Sequence, residues 1–118
     1  MRRRNVVEEK SFRFALEIIE LAKRLEKERK EFVLSKQILR SGTSIGALVR
    51  EAEHDESKKD FIHKMSISLK EANETRYWLD LLINSDSMEN QDYNRLNDLV
   101  TQIIKLLAAI VKSSKLNS

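Results

Sequence analysis

The stretch RSGTSIGALVREA, residues 40–52, contains both glycines of a 118-residue chain that has no proline. Apolar residues such as Ile38 and Ile45 recur in and around it at helical spacing, which predicts an amphipathic helix. Glycine costs a helix interior about 0.5–1 kcal/mol relative to alanine, so two glycines four residues apart need a packing reason. We expect Gly42 and Gly46 to let this helix approach a neighbouring helix of its own bundle closely.

The same apolar period predicts four helices in the whole chain. They cover about residues 5–29, 35–54, 57–84 and 88–113 of a single domain, 1–118. Ser35 and Ser57 are the predicted N-caps of the second and third helices, and Asp86 or Ser87 is the predicted N-cap of the fourth. The connecting segments are roughly 3–6 residues long, which makes sequential helices antiparallel neighbours. The sequence therefore predicts an all-α protein, an antiparallel up-down four-helix bundle.

Three of the four predicted helices carry apolar residues on two faces, although a lone bundle buries only one. Phe12, Leu16 and Ile19 form a second stripe on the first helix, and Ile67 and Trp78 lie on the outer face of the third. Large apolar side chains grouped on an outer surface indicate contact with another chain. We expect an oligomer, and because the patches on the second and third helices differ, head-to-tail contacts would close it into a ring.

The predicted subunit contact joins the outer face of the second helix to the outer face of the third. Arg40 of one subunit is expected to pair with Glu71 or Glu74 of the next. The alternative is that these ion pairs form within one chain. The predicted contact residues are Arg40, Ser44, Ala47, Glu51, Ile67, Glu71, Glu74 and Trp78.

The basic residues outnumber the acidic ones by 22 to 19, and the excess lies near the N-terminus. Residues 1–30 hold ten basic and six acidic groups, whereas the charges of residues 57–118 nearly cancel. A clustered basic surface is the footprint of nucleic-acid binding, with contacts to phosphates and no base specificity. The predicted contact residues are Arg2, Arg3, Arg4, Lys23, Arg24, Lys27, Arg29 and Lys30. The alternative is a protein-interaction module that docks a partner protein and touches no nucleic acid.

No arrangement of residues in the sequence supports catalysis. Cysteine is absent, which excludes disulfides and thiolate zinc sites. Two acid-x-x-His pairs, Glu51 with His54 and Asp60 with His63, resemble ligands of di-iron bundles, but both crowd one end of the bundle, where we expect surface histidines. We predict no enzyme activity, no cofactor and no metal. With no apolar run long enough for a membrane span or a signal peptide, we expect a cytoplasmic protein without membrane contact.

Two blocks of the sequence resemble the signature blocks of a bacterial four-helix-bundle family. They are SKQILRSGTSIGALVREA, residues 35–52, and SKKDFIHKMSISLKEANETRYWLDLL, residues 57–82. The family is that of the 23S ribosomal RNA intervening-sequence proteins, also labelled S23 ribosomal proteins, and the resemblance runs along essentially the whole chain. The matching residues are Arg40, Ser41, Ser44, Ile45, Glu51, Ala52, Phe61, Lys70, Glu71, Ala72, Glu74, Tyr77 and Trp78. Leu48 and Arg50 depart from the asparagine and alanine that are common in the family.

This resemblance implies a ring-shaped homopentamer of four-helix bundles, of the kind encoded in insertions within large-subunit ribosomal RNA genes. A related branch of the family is a basic pentamer that works with a reverse transcriptase and nucleic acid. No enzymatic activity is attached to the family. The function that we expect is therefore a non-enzymatic, homo-oligomeric scaffold that binds RNA or DNA through basic patches.

Overall fold

Four α-helices and the turns between them make up the part of the chain that the structure describes. The structure, a computed structural model, describes residues 3–55 and 57–117, without the side chains of residues 3 and 4. In chain order the helices are α1 (Arg3–Arg29), α2 (Val33–Ala52), α3 (Lys58–Asn84) and α4 (Asn90–Leu116). Each helix packs against its sequence neighbours, and α4 returns to pack against α1. The predicted all-α, four-helix bundle is confirmed, and no strand occurs within these ranges.

The helices run antiparallel in chain order, as contacts near their ends show. Glu8, near the start of α1, lies 3.8 Å from Arg50, near the end of α2. Tyr93, near the start of α4, donates a hydrogen bond of 2.6 Å to Asp80, near the end of α3. The bundle measures 47 × 21 × 21 Å. We call the end that holds the last turn of α1 and the first turn of α4 the upper end, and the opposite end the lower end.

The core is one apolar cluster to which all four helices contribute. Phe14, Ile38, Leu79 and Leu107 are among its largest fully buried side chains. Burial of a side chain of this size contributes about 1.5–3 kcal/mol to the free energy of unfolding, so the cluster holds the bundle together. Across the described ranges, none of the helices combines the length and the apolar character that crossing a membrane requires.

The two glycines let α1 approach α2 closely. A Cβ atom on Gly42 would lie 2.9 Å from Cγ2 of Ile18, and one on Gly46 would lie 3.2 Å from Oγ of Ser11. Ile18 is fully buried, so in a close-packed interior it has no space into which it can retreat. The prediction that these glycines serve packing within the bundle is confirmed.

Small hydroxyl residues lie where α2 meets α3. The hydroxyl groups of Thr75 and Ser41 are hydrogen-bonded to each other at 2.8 Å, and Ser68 donates to the carbonyl oxygen of Ile45 at 2.9 Å. All three hydroxyl residues are fully buried, and burial of a polar group is costly unless it is hydrogen-bonded. These bonds therefore fix the register of α2 against α3.

The predicted N-cap of α2, Ser35, is wrong. The helix begins two residues earlier, because the carboxylate of Glu31 accepts hydrogen bonds from the backbone N–H groups of Val33 and Leu34, at 2.9 and 3.0 Å. Ser35 is instead buried, and its Oγ donates to the carboxylate of Glu26 on α1 at 2.8 Å. The serine therefore joins two helices and caps neither.

At the two ends of α3, the predicted N-cap is confirmed, and the residues predicted to cap the next helix are found to end α3 instead. Ser57 is confirmed as the N-cap, since its Oγ accepts a backbone hydrogen bond of 3.1 Å. After the last turn, Asp86 has a φ of 56°, and the N–H of Ser87 donates to the carbonyl oxygen of Leu82 at 2.8 Å. This is a left-handed helix end, a conformation that Asp tolerates. Asp86 and Ser87 therefore terminate α3, the prediction that one of them caps α4 is wrong, and α4 begins only at Asn90.

Candidate nucleic-acid interface

The outer surface between α2 and α3 holds an ion cluster within one chain. Arg40 donates to Glu71 at 2.8 Å and also to Glu74. Trp78 donates its indole N–H to Glu74 at 3.2 Å. The hydrogen bond to Glu71, helped by the charges of both glutamates, raises the pKa of Arg40 above its ordinary value. The pairs form inside one chain, as the alternative predicted, and the contact of these residues with a second subunit stays a prediction.

The other predicted contact residues are divided between two surfaces. Ser44 donates to the backbone carbonyl of Arg40 at 2.6 Å, so its hydroxyl is used within α2. Ile67 is partly buried on α3. Ala47 and Glu51 line a cavity on the opposite flank of α2, where it meets α1. The predicted residues therefore do not form one continuous contact surface.

Exposed apolar side chains gather instead on the outer surface shared by α1 and α2. Phe12 and Leu16 on α1 are each 51% exposed, and Leu39 on α2 is 37% exposed. A cavity of about 360 Å³ opens beside Phe12, and the guanidinium of Arg50 lies 5.6 Å from the centre of the Phe12 ring. The prediction of a second apolar stripe on α1 is confirmed for Phe12 and Leu16. We call the following residues the apolar face: Phe12, Leu16, Leu39, Thr43 and Ala47.

The residues predicted to bind nucleic acid do not form one patch. The helix α1 has 27 residues, so its two ends are about 39 Å apart at 1.5 Å per residue. Arg2 lies outside the described residues. Arg3 and Arg4 lie in the first turn of α1, and their side chains are outside the described set. The predicted basic residues that the structure describes therefore belong to two distant ends of the bundle.

At the upper end, the predicted arginines of α1 are paired with acidic residues of α4. Arg24 lies 3.3 Å from Asp92, and Arg29 lies 3.1 Å from Glu89. Arg29 also donates to the backbone carbonyl of Asp86 at 2.9 Å. To bind a phosphate, either arginine would first have to leave a carboxylate of its own chain.

The predicted lysines near the upper end of α1 also have acidic residues close to them in the sequence. Lys23 lies 3.9 Å from Glu20. Lys27 and Lys30 form no ion pair with any residue that the structure describes, but they alternate along the chain with Glu26, Glu28 and Glu31. The upper end of α1 is therefore close to neutral and is not the concentrated positive surface that the sequence count suggested.

Charge is strongly separated along α3 and α4. Residues 57–70 and 101–118 together hold seven lysines and one acidic residue, whereas residues 71–100 hold two arginines and seven acidic residues. Because α3 and α4 are antiparallel, the two lysine-rich segments lie side by side at the lower end. Sequence reasoning missed this surface because charge was summed over residues 57–118 as one segment. The complete absence of acidic residues from 61–70 and from 101–118 was the available signal.

Four of these lysines form a cationic surface on the outside of α3 and α4. Lys59 and Lys70 are three turns apart on α3, and Lys105 and Lys112 are two turns apart on α4, so each pair lies along one side of its helix. All four are exposed, and none has a hydrogen-bond or ion-pair partner among the described residues. We call these four residues the lysine face.

The neighbouring charges lie on a different side of α3. Lys64 lies 2.6 Å from Asp55, which belongs to the turn between α2 and α3, and this hydrogen bond raises the pKa of Lys64. Asp60, the one acidic residue of the lower segments, acts electrostatically on Lys64, and Glu71 is held by Arg40. Among the described residues, no carboxylate forms an ion pair with the cations of the lysine face.

The histidines predicted to lie on the surface are exposed: His54 follows α2, and His63 lies on the outer side of α3. Across residues 3–55 and 57–117, no three His, Asp or Glu side chains come close enough together to hold a metal ion. The chemistry that the lysine face can perform is the binding of anions, and phosphate oxygens are suited to unpaired lysines on a rigid surface.

A family model described as 23S rRNA-intervening sequence protein matches residues 3–109. The chain is also similar to a crystal structure from Bacteroides thetaiotaomicron VPI-5482, described as a protein with unknown function from the S23 ribosomal protein family. The two share 55% sequence identity, the match covers 94% of this chain and 99% of that one, and the TM-score is 0.92. No curated protein matches the chain. Since the family model covers nearly the whole sequence, the chain belongs to the family of 23S rRNA-intervening sequence proteins.

Proposed function

We propose that this protein is a non-enzymatic scaffold that assembles into a ring-shaped homopentamer and binds RNA or DNA through phosphate contacts. The observation that carries the proposal is the lysine face, four exposed lysines without a partner among the described residues. Lysines that neutralise phosphates release condensed counterions, which is the main source of sequence-independent affinity for nucleic acid. These lysines can do so without breaking an existing ion pair, unlike Arg24 and Arg29.

The apolar face supports assembly with further copies of the chain. Phe12 and Leu16 are each half exposed on one turn of α1, and covering them would remove apolar surface from water. A complementary surface is available on the α2–α3 side, where Ile67 and Trp78 are partly buried. Contact between two different surfaces is head-to-tail and closes into a ring when the rotation allows it. The number five comes from the family resemblance.

Assembly would also strengthen the binding of nucleic acid. In a ring, each copy presents one lysine face, so modest affinities for phosphate add through multivalency. A pentamer would carry its lysine faces at regular intervals around the axis. A long RNA could therefore engage several copies, although each copy alone contributes only a few phosphate contacts.

The proposal is tested by binding a labelled RNA stem-loop, measured by fluorescence anisotropy between about 50 and 200 mM salt. Two triple variants carry the same change of charge at different places. They are Lys59→Gln/Lys70→Gln/Lys112→Gln on the lysine face and Lys23→Gln/Lys27→Gln/Lys30→Gln at the upper end of α1. The first is expected to weaken binding and to make the slope of log K against log salt less negative by about 2–3, because three phosphate contacts are lost. The second is expected to bind almost as the parent protein does.

Equal losses in the two triple variants would contradict the assignment of the lysine face. A parent protein that fails to bind RNA even at low salt would remove the nucleic-acid function altogether. In that case the apolar face would favour the alternative, a module that docks a partner protein.

A further inference from the structure

An exposed aromatic side chain lies in line with the lysine face. Tyr77 is 56% exposed and lies two turns from Lys70 on the same side of α3. Its ring centre is 5.3 Å from that of Trp78, and the two ring planes are tilted by 58°. Trp78 is itself held by its hydrogen bond to Glu74. The tyrosine ring therefore has a fixed neighbour on one side and solvent on the other.

The surface around Tyr77 includes a cation, neutral polar groups and two carboxylates, Glu74 and Asp80, that already accept hydrogen bonds. Arg76 forms no ion pair with a described carboxylate, and its guanidinium donates to the side-chain oxygen of Asn73 at 3.4 Å. The side-chain NH₂ of Asn73 in turn donates to the carbonyl oxygen of Leu69 at 3.1 Å. A ring that can stack and a row of lysines therefore follow one another down the outer side of α3, with the guanidinium of Arg76 on the adjacent side of the helix.

We infer that the surface of α3 and α4 is a binding site for single-stranded nucleic acid, in which a base stacks on Tyr77 and the backbone follows Lys70 and Lys59. This inference rests on the proposed function. The base faces of a duplex are hidden in the stack, so an exposed aromatic ring adds affinity only for unpaired bases. From Tyr77 to Lys59 the helix extends about 27 Å, a length that several nucleotides can follow, as in other single-strand sites of about 4–16 nucleotides.

The site contains its own spectroscopic reporter. Trp78 is the one tryptophan of the chain, and it contacts the ring that would receive the base. Single strands of RNA and of DNA, about 12 nucleotides long, and the matching duplexes are titrated into the protein. Quenching of the Trp78 fluorescence and the anisotropy of the labelled strand are both recorded. We expect the single strands to quench the fluorescence and the duplexes to leave it nearly unchanged.

Three variants separate stacking from charge. Tyr77→Ala is expected to weaken single-strand binding about 5- to 150-fold, the effect of removing one stacked aromatic, and to leave duplex binding unchanged. Tyr77→Phe keeps the ring and is expected to bind almost as tightly as the parent. Phe32→Ala removes an exposed aromatic from the turn before α2 and is the control that should change nothing.

Unchanged single-strand affinity in Tyr77→Ala would overturn the inference. A smaller sedimenting mass of Tyr77→Ala would also overturn it, because Tyr77 would then belong to a subunit contact. If the lysine-face variant loses RNA while Tyr77→Ala keeps it, the inference fails and the proposed function stands. If the parent protein binds neither single strands nor duplexes, both fail together.

Discussion

The apolar face and the lysine face lie on opposite sides of the bundle, and they expose opposite chemistry. Among the described residues α1 does not contact α3 and α2 does not contact α4, so the outer surface shared by α1 and α2 faces away from the one shared by α3 and α4. The first carries apolar side chains that gain free energy when another surface covers them. The second carries cations that are well solvated in water and bind anions. Neither surface is needed for the core, so both are available for function.

A third edge shows that cations alone do not make a binding surface. Between α1 and α4, Arg95 lies 3.0 Å from Glu17 and 3.0 Å from Asp92. The hydrogen bond to Asp92 raises the pKa of Arg95 above its ordinary value, and Glu17 adds to the effect. Arg95, like Arg24 on the same edge, is therefore already paired with carboxylates of its own chain. On the lower part of α3 and α4, by contrast, the four lysines of the lysine face have no ion-pair partner among the described residues.

The largest effect that we expect is the loss of assembly when the apolar face receives a charge. Leu16→Glu buries an unpaired carboxylate in the proposed contact, which is strongly unfavourable. Sedimentation should then give the mass of the single chain, 13.8 kDa. Leu116→Glu, a change of the same kind at an exposed position outside the face, should keep the mass of the parent. An assembly that survives Leu16→Glu would place the subunit contact elsewhere.

A smaller effect is expected from reversing the charge in the α2–α3 ion cluster. Arg40→Glu brings a third carboxylate next to Glu71 and Glu74, so the free energy of unfolding should fall by about 1–2 kcal/mol, allowing for solvent screening at the exposed arginine. Arg13→Glu, at a solvated pair on α1, should change it by less than about 0.5 kcal/mol. Urea denaturation measures both. Dissociation of the oligomer by Arg40→Glu without any loss of stability would restore the prediction that this pair joins two subunits.

An effect of about the same size is expected from a change in the spacing of the two helices that carry the apolar face. Gly42→Ala pushes a methyl group against Ile18, and we expect it to lower the free energy of unfolding by about 1–2 kcal/mol, because overpacking exceeds the gain in helix propensity. Gly46→Ala meets Ser11 at a longer distance, so its effect should be smaller. Thermal unfolding of the two variants measures the difference. A Gly42→Ala variant as stable as the parent would contradict the close contact.

The sequence predicted those features that depend on the period of a single helix. The second stripe of α1 and the inward position of Gly42 follow from a helical wheel, and the structure bears them out. The partners of Arg40 were also predictable, because opposite charges lay on neighbouring helices. A helical wheel shows which face of a helix a residue occupies, but it does not show whether the ion-pair partner of that residue belongs to the same chain.

The remaining features depend on contacts between segments that are distant in the chain. Glu31, and not Ser35, accepts the backbone hydrogen bonds of the first turn of α2. The hydroxyl of Ser35 instead donates a hydrogen bond to Glu26 on α1. The lysine face arises because two lysine-rich segments, about forty residues apart, meet in antiparallel helices. The positive and negative charges of residues 57–118 nearly cancel when they are summed along the chain. In the folded protein the positive charges are separated from the negative ones.

The central claim is that assembly and nucleic-acid binding use opposite faces of one bundle. The most direct test is sedimentation of the Lys59→Gln/Lys70→Gln/Lys112→Gln variant together with labelled RNA, with the parent protein beside it. We predict that the variant sediments as an oligomer with the mass of the parent while the RNA remains unbound. A variant that loses its assembly, or one that carries the RNA as the parent does, would contradict the claim.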